Sequence, residues 1–489
     1  MPTTIYLPEQ VVNILSKTVS KNPPEFKYID KLAKYYLYLV FEQTISDFNN
    51  NSFENYTKLC SKILRKYASN YKLYFDYFKE NEILESLTYI KNENYAECTK
   101  YRFSEKIRRL FETTPTKVSA LEILETKLRN ITWNDREINK PLDRECYHLT
   151  KWLNPNLTIN HIGCTEIIEI GNYSTFNRIS TTTKIANIVA GRFFATRKKE
   201  TDNRLHTNFT SLCADFRPFI SYEGEDLVNY DIKNSQPFFL IVIIELLKRQ
   251  LEQKKSKSNY YINNKYKSNK IIYKILTTIY KSSSLMLHNL RKTLYNKEFS
   301  EEYELIKNWI LNGEFYENLG NIMYPIEPST GQWERKYKKV LGKNLQGKKI
   351  VINISDFYEL DKKRKMVKDA VFVILFGSIS QKGDDIKLFE QYFPAFSKLL
   401  ETLKQEDQNQ LALLLQQVES ATIIDFVTKE IAKLHPEMPM LTVHDSIAIP
   451  RSWSTKVHMP ELIKYFVKKF TGLTPRIDTD YYCPKCKAS

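Results

Sequence analysis

Two short β-rich runs, far apart in the chain, each deliver an aspartate into a turn. In the first, Asn229-Tyr230-Asp231-Ile232-Lys233-Asn234-Ser235-Gln236-Pro237-Phe238-Phe239, a strand opens at Leu227-Val228 and a helix starts near Pro237, a residue favoured in a helix first turn. In the second, Met440-Leu441-Thr442-Val443-His444-Asp445-Ser446-Ile447-Ala448-Ile449-Pro450, two β-rich stretches flank a His-Asp-Ser tip, as in a hairpin. Taken singly, each has an ordinary reading, because an Asp after a strand is usually a turn or cap residue. Taken together on adjacent strands, two carboxylates at a sheet's end suit phosphoryl transfer. There, two divalent ions about 4 Å apart activate the attacking oxygen and stabilise the leaving one. Mg²⁺ prefers few protein carboxylates plus water and substrate phosphate, so Asp231 and Asp445 suffice as metal ligands.

A third segment gives the pair its context. In Lys363-Arg364-Lys365-Met366-Val367-Lys368-Asp369-Ala370-Val371-Phe372-Val373-Ile374-Leu375-Phe376-Gly377-Ser378, Arg364, Lys368, Phe372 and Phe376 recur every four residues. On an α-helix they share one face, two cations followed by two rings and a glycine stop. Cations pair with a triphosphate and rings stack on a base or sugar, which fits a nucleoside triphosphate lying along the helix. The plainer reading is an amphipathic helix with its aromatic stripe in the core.

Bulk properties agree with a polyanionic partner. The 489-residue chain carries 73 Lys plus Arg against 57 Asp plus Glu, a net charge of +16, although its Lys, Asn, Ile and Tyr bias also inflates the basic count. Its length suits two or three lobes. The longest apolar run, Phe238 to Ile244, falls far below the roughly 20 residues of a membrane span. With no signal-peptide pattern and seven scattered cysteines (60, 98, 146, 164, 213, 483 and 486), a soluble cytoplasmic protein is expected, with no membrane partner.

The order Asp231, basic helix, His444-Asp445 resembles motifs A, B and C of family A DNA polymerases, the bacterial polymerase I-like superfamily, and of their single-subunit phage-type RNA polymerase relatives. The helix follows the family's Arg-x3-Lys-x3-Phe-x3-Tyr-Gly with Phe376 in place of Tyr. Arg204-Leu205-His206-Thr207 resembles the Gly-Arg-x-His-Thr segment upstream of motif A, with Asn203 for Gly. Arg217-Pro218-Phe219 resembles the Arg-x-x-Phe approach, one residue shorter. Leu415-Gln416-Gln417-Val418-Glu419-Ser420 resembles the Gln-bearing helix before motif C.

The resemblance covers roughly residues 190 to 450. It implies an α+β right-hand polymerase: a palm with a small antiparallel sheet, helical fingers and a helical thumb. The expected organisation is a helical N-terminal domain over 1–150, a thumb/palm connection over 151–203, and palm with motif A over 204–247. Fingers with a basic insertion and the motif B helix then occupy 248–410, and palm with motif C and a tail 411–489. It implies two Mg²⁺ ions (Mn²⁺ as a possible substitute) on Asp231 and Asp445, and catalysis by Lys368 as proton donor to pyrophosphate. Arg364, Lys368, Phe372, Phe376 and Gln236 are implied around the dNTP, and Arg204, His206, Thr207, Arg217, Gln416, Gln417 and His444 around nucleic acid. The implied partners are a DNA primer-template and nucleoside triphosphates, with room for an accessory protein on the N-terminal domain.

Where the family's DNA enzymes carry Glu five residues after the motif A Asp, this chain has Gln236, nearly isosteric and able to crowd a ribose 2′-hydroxyl. Ser446 is the RNA-polymerase choice, Phe372 the DNA choice, and Phe376 lacks the hydroxyl that RNA-making relatives use. DNA synthesis is the expectation, with RNA synthesis or priming, template-independent terminal transfer, and a degenerate nucleic-acid-binding fold as alternatives. The spacings, 137 residues from Asp231 to Lys368 and 77 from Lys368 to Asp445, point to remodelled fingers in a phage or mobile-element enzyme. Asp135-Arg136-Glu137 and Asp143-Arg144-Glu145 do not sit in β-rich runs, so no proofreading site is expected. Cys483-Pro484-Lys485-Cys486 is half a zinc knuckle, which His458 or Cys213 could complete, but a structural site needs four ligands and a free tail is the favoured reading.

Overall fold

The computed structural model describes residues 3–46, 52–61, 64–65, 68–87, 90–92, 95–113, 118–123, 145–171, 173–199, 201–255, 271–272, 274–275, 289–290, 292–324, 339–343, 349–353, 360–377, 383–404 and 409–483. The Asp135–Glu137 segment, Asp143, Ser378, Cys486 and most of the basic insertion lie outside them.

The N-terminal region is not purely helical, contrary to the periodicity-based expectation. Thr3–Pro8 pairs antiparallel with Val118–Ile123, and Thr57–Lys58, Lys100–Phe103 and Leu84–Leu87 form a second small sheet. Runs such as Thr-Thr-Ile-Tyr-Leu and Lys-Tyr-Arg-Phe are β-branched or aromatic, and their two-residue alternation outweighs the helical signal of their neighbours. This part has its own aromatic core, with Tyr36, Phe41, Tyr74, Phe75, Phe78 and Phe103 among its members. Phe176 and Ile179 of helix α1 (Thr175–Val189) join that core, so the unit reaches past residue 150.

The remainder is organised on one six-stranded antiparallel sheet. Its strands are β1 (Leu157–Ile159), β2 (Ile220–Tyr222), β3 (Glu225–Ile232), β4 (Leu441–Val443), β5 (Ser446–Pro450) and β6 (Ile477–Tyr482). The spatial order is β4-β5-β3-β2-β1, with β6 also paired to β3. Strand β3 is therefore central, β5 on one edge and β2 followed by β6 on the other. Alternation fixes its faces. Val228, Tyr230 and Ile232 enter the large core, while Asn229 and Asp231 point the other way.

Helix α2 (Ser235–Lys255) leaves β3 through Asn234, whose φ of 57° reverses the chain. Phe238 to Ile244 are at most 2% exposed, so this run is a buried core helix, apolar on all sides. Around it pack α3 (Lys297–Asn312), α4 (Phe315–Met323), α5 (Leu360–Phe376), α6 (Pro394–Lys404), α7 (Gln410–Thr422) and α8 (Met459–Thr471). Helix α7 continues through a wider π turn, Ile423–Val427, into Thr428–Leu434. The continuous helix, Gln410–Leu434, has the length and hydropathy of a membrane span, but 67% of its most apolar window is buried inside the protein.

Candidate active site

Register brings the two aspartates together. Asp231 pairs with Ser446 across β3 and β5, and Asp445 is the residue immediately before Ser446. The β4–β5 hairpin closes Val443 onto Ser446, leaving His444 and Asp445 as a two-residue tip. His444 takes a φ of 56°, which an L residue adopts at a cost and which a two-residue hairpin demands at its first tip position. A slip of one residue would turn Asp231 into the core.

The carboxylates sense each other. Burial first, and then the charge of Asp445, push the Asp231 carboxyl up; burial pushes Asp445 up, opposed by a hydrogen bond from the Ser235 side chain. Lys368 of helix α5 lowers both, and Arg204 also lowers Asp445. Two more acidic residues contribute. On β6, Asp478 lies opposite Asp231 and Asp480 opposite Asn229, and both raise Asp231. The sequence signal was present in the alternating Asp478-x-Asp480 of a β-rich run, which places both on one face.

Helix α5 presents the expected stripe. Lys368 and Phe372 are exposed and Arg364 part-exposed, while Val367, Val371 and Ile374 are buried behind them. Phe372 is 36% exposed, so it is not a core residue; Phe376 packs partly against the core with its ring centroid 5.5 Å from that of Phe372. Gly377 stops the helix closely, since a Cβ there would meet the Val373 carbonyl oxygen at 2.4 Å.

Tyr316 on α4 is a residue the sequence did not single out. It is buried, the Arg364 guanidinium stands 5.4 Å from its ring centroid, and both Asp231 and Asp445 act on its hydroxyl. It therefore lies within electrostatic reach of both the basic helix and the carboxylates. Arg364 also pairs with Glu317, its Nε 3.0 Å from Oε1.

The residues expected to touch nucleic acid are largely occupied internally. Arg204 donates through Nε and Nη2 to the two oxygens of Glu419, at 2.8 and 3.0 Å. Glu419, on α7, is fully buried; burial and Asp445 push its carboxyl up and Arg204 opposes them. Gln236 donates its amide to the same carboxylate. His206 Nε2 lies 2.9 Å from Asp202, and Thr207 forms a capping box with Thr210. Arg217 donates to the Leu212 carbonyl, and Gln417 to the Thr201 carbonyl at 2.7 Å, whereas Gln416 is half-buried. In the basic run before Arg204, Arg197 is spent on a two-pronged pair with Asp425, both contacts 2.8 Å. His444 is held neutral, pushed down to about 3 by burial and by Arg204, His206 and Arg217. Sequence spacing finds such residues but does not tell which have internal partners.

Among the described residues no three His, Cys, Asp or Glu side chains converge as a metal-ligand cluster. Of the Cys-x-x-Cys pair, Cys483 follows β6 directly and Cys486 lies outside the described residues.

No protein-family model matches the chain, and no curated protein matches it. Among solved structures, it is similar to the POL domain of Pol1 from M. smegmatis in complex with DNA primer-template and dNTP. The TM-score is 0.33 and the identity 11%, over 66% of this chain and 55% of that one. So loose a superposition does not bear on function, and the site's geometry stands by itself.

Proposed function

We propose that this chain is a divalent-metal-dependent nucleotidyltransferase, a template-directed DNA polymerase without proofreading that extends a 3′-hydroxyl with dNTPs. The observation that carries the reading is the β3–β5 register, which sets Asp231 beside Asp445 with Lys368 as the cation acting on both. Two buried, raised carboxylates at a sheet end are a donor set a hard cation would relieve, and Mg²⁺ needs few protein carboxylates. Asp231 and Asp445 would hold two such ions, which supply activation of the attacking oxygen and charge neutralisation on the triphosphate.

The chain's own residues do the rest. Arg364 and Lys368 bind the triphosphate oxygens, Arg364 exchanging Glu317 for phosphate. The primer hydroxyl gives up its proton to solvent as its oxygen bonds the α-phosphorus, the bond from that phosphorus to the bridging oxygen of pyrophosphate breaks, and Lys368 hands its own proton to the departing pyrophosphate. Phe372 offers a ring face to sugar and base, and Phe376 lies beyond it toward the nascent pair. Gln236, at the first turn of α2, sits at the sugar. The +16 charge favours a nucleic-acid partner.

Primer extension tests this reading. Wild type with dNTPs, a primed template and Mg²⁺ extends the primer; chelation stops it; and Asp445→Asn lowers the rate by at least about a thousandfold, the scale on which metal-assisted charge stabilisation acts. Undiminished extension by Asp445→Asn overturns the proposal. Extension with NTPs alone moves it to RNA synthesis, and homopolymer tails on an unpaired primer move it to terminal transfer.

A further inference from the structure

Just past Asp231 the sheet ends in two cations. Lys233 follows Asp231 by two residues, about 7 Å of extended chain, and its N–H donates to the Arg476 carbonyl at 2.9 Å. That bond continues the β3–β6 register one step beyond Ile232 and Ile477. By alternation, Lys233 and Arg476 share the face of Asp231 and Asp478. Their stems converge on one glycine. A Cβ on Gly313 would meet Lys233 Cδ at 2.9 Å and Arg476 Cγ at 3.1 Å. Gly313 ends α3 with a φ of 78°, is buried, and lies three residues before Tyr316. A solvated lysine at a turn needs no such clearance. Two cations rooted this closely repel each other, and an anion between them reverses that cost.

Neither cation is spent internally. Among the described residues neither side chain makes an ion pair or a hydrogen bond, although Asp231, Asp478 and Glu314 are their neighbours along the strands and the turn. Arg197, Arg204 and Arg217, by contrast, are held by Asp425, Glu419 and the Leu212 carbonyl. Lys233 is part-exposed and Arg476 exposed, so a ligand reaches both. The location favours a short phosphate chain over a duplex backbone. The Gly313 turn leads into α4, where the Arg364 guanidinium stands 5.4 Å from the Tyr316 ring centroid and pairs with Glu317. Cations from β3, β6 and α5 thus gather at the start of α4, beside the carboxylate pair.

We propose that Lys233 and Arg476 form a second anion-binding pair, which takes the terminal phosphates of the incoming nucleoside triphosphate and then the pyrophosphate that departs. This rests on the nucleotidyl-transfer reading above and adds to it two residues that stand on the sheet rather than on the basic helix. The Arg476 guanidinium offers a fork to two oxygens of one phosphate, and Lys233 a point charge to a third.

The test titrates magnesium pyrophosphate, and separately a labelled primer-template duplex over a range of salt, into wild type, Lys233→Met and Arg476→Met. Methionine keeps an apolar stem over Gly313 and removes the charge. Each variant should bind pyrophosphate about tenfold or more weakly, the worth of one charge-assisted hydrogen bond, and its KM for dNTP should rise in parallel. Duplex affinity should stay within twofold of wild type, with an unchanged salt slope. Lys233→Arg and Arg476→Lys, which keep the charge, should restore most of the pyrophosphate affinity; their failure to do so would assign the loss to disturbed folding and overturn the site. Pyrophosphate affinity within twofold of wild type in both methionine variants also overturns it. So does a fall in duplex affinity with a salt slope lower by about one per residue, which would make the two cations contacts to the nucleic-acid backbone. Because pyrophosphate binding is read without turnover, the two readings fail separately. A wild type that binds pyrophosphate through these residues but incorporates no nucleotide overturns the polymerase and keeps the anion site. Normal primer extension with pyrophosphate binding indifferent to both residues does the reverse.

Discussion

His148 shows how a single side chain carries a pH dependence. Its Nε2 lies 2.9 Å from the Thr428 hydroxyl, and burial, reinforced by Lys429, Arg197 and Lys151 against Asp425, pushes its pKa down to about 4 from 6.5. Between those values the unfolded chain binds more protons than the folded one, so stability rises with pH across the window and falls as the solution is acidified through it. Denaturation at pH 7 and pH 5 should show wild type losing more stability than His148→Gln; equal losses would contradict this account of the site. Glu419 belongs to the same scale. It is buried and shared by Arg204 and Gln236, so Glu419→Leu leaves an uncompensated guanidinium and should cost about 3–5 kcal/mol. A thermal or denaturant midpoint close to that of wild type would deny the network its structural role.

The motif helix α5 is held at its C-terminus by a residue from another element. Lys404 on α6 donates to the Ile374 carbonyl at 2.6 Å and the Gly377 carbonyl at 3.1 Å, and burial pushes its amine down to about 8. Cations at a helix C-terminus satisfy the last carbonyls. Lys404→Met keeps the stem but strands two acceptors, and should lower stability by about 1–3 kcal/mol in denaturant titration. At this scale the sequence was readable where pattern is local. The four-residue recurrence of Arg364, Lys368 and Phe372 placed the exposed face of α5, and the β-turn-β pattern placed Asp445 at a hairpin tip. It was silent where pairing is long-range. Nothing near Glu419 announces Arg204, 215 residues away, and nothing near Tyr316 announces Arg364 or the carboxylates. Likewise, the helical stretches at the start of the chain drowned the short strands between them, whose partners lie as far off as Thr3 and Ile123.

On the scale of the whole molecule, the described residues form three hydrophobic clusters, and α1 links the N-terminal one, through Phe176 and Ile179, to the one that holds Leu157, Ile220 and Leu227 of the six-stranded sheet, through Ile185 and Ile188. A net charge of +16 has to be expressed as salt-sensitive binding if nucleic acid is the partner. The affinity for a primer-template duplex should fall linearly in log–log form with salt, by about 0.9 per phosphate neutralised, and a flat dependence would argue for a different partner. Every functional statement nonetheless depends on Asp231 and Asp445 forming one cation site. The most direct measurement is the number of Mn²⁺ ions bound per chain, followed by electron paramagnetic resonance in the presence of a nucleoside triphosphate and primer-template. Two ions in wild type, with fewer in both Asp231→Asn and Asp445→Asn, is the predicted result. The same number of ions in all three proteins would contradict it.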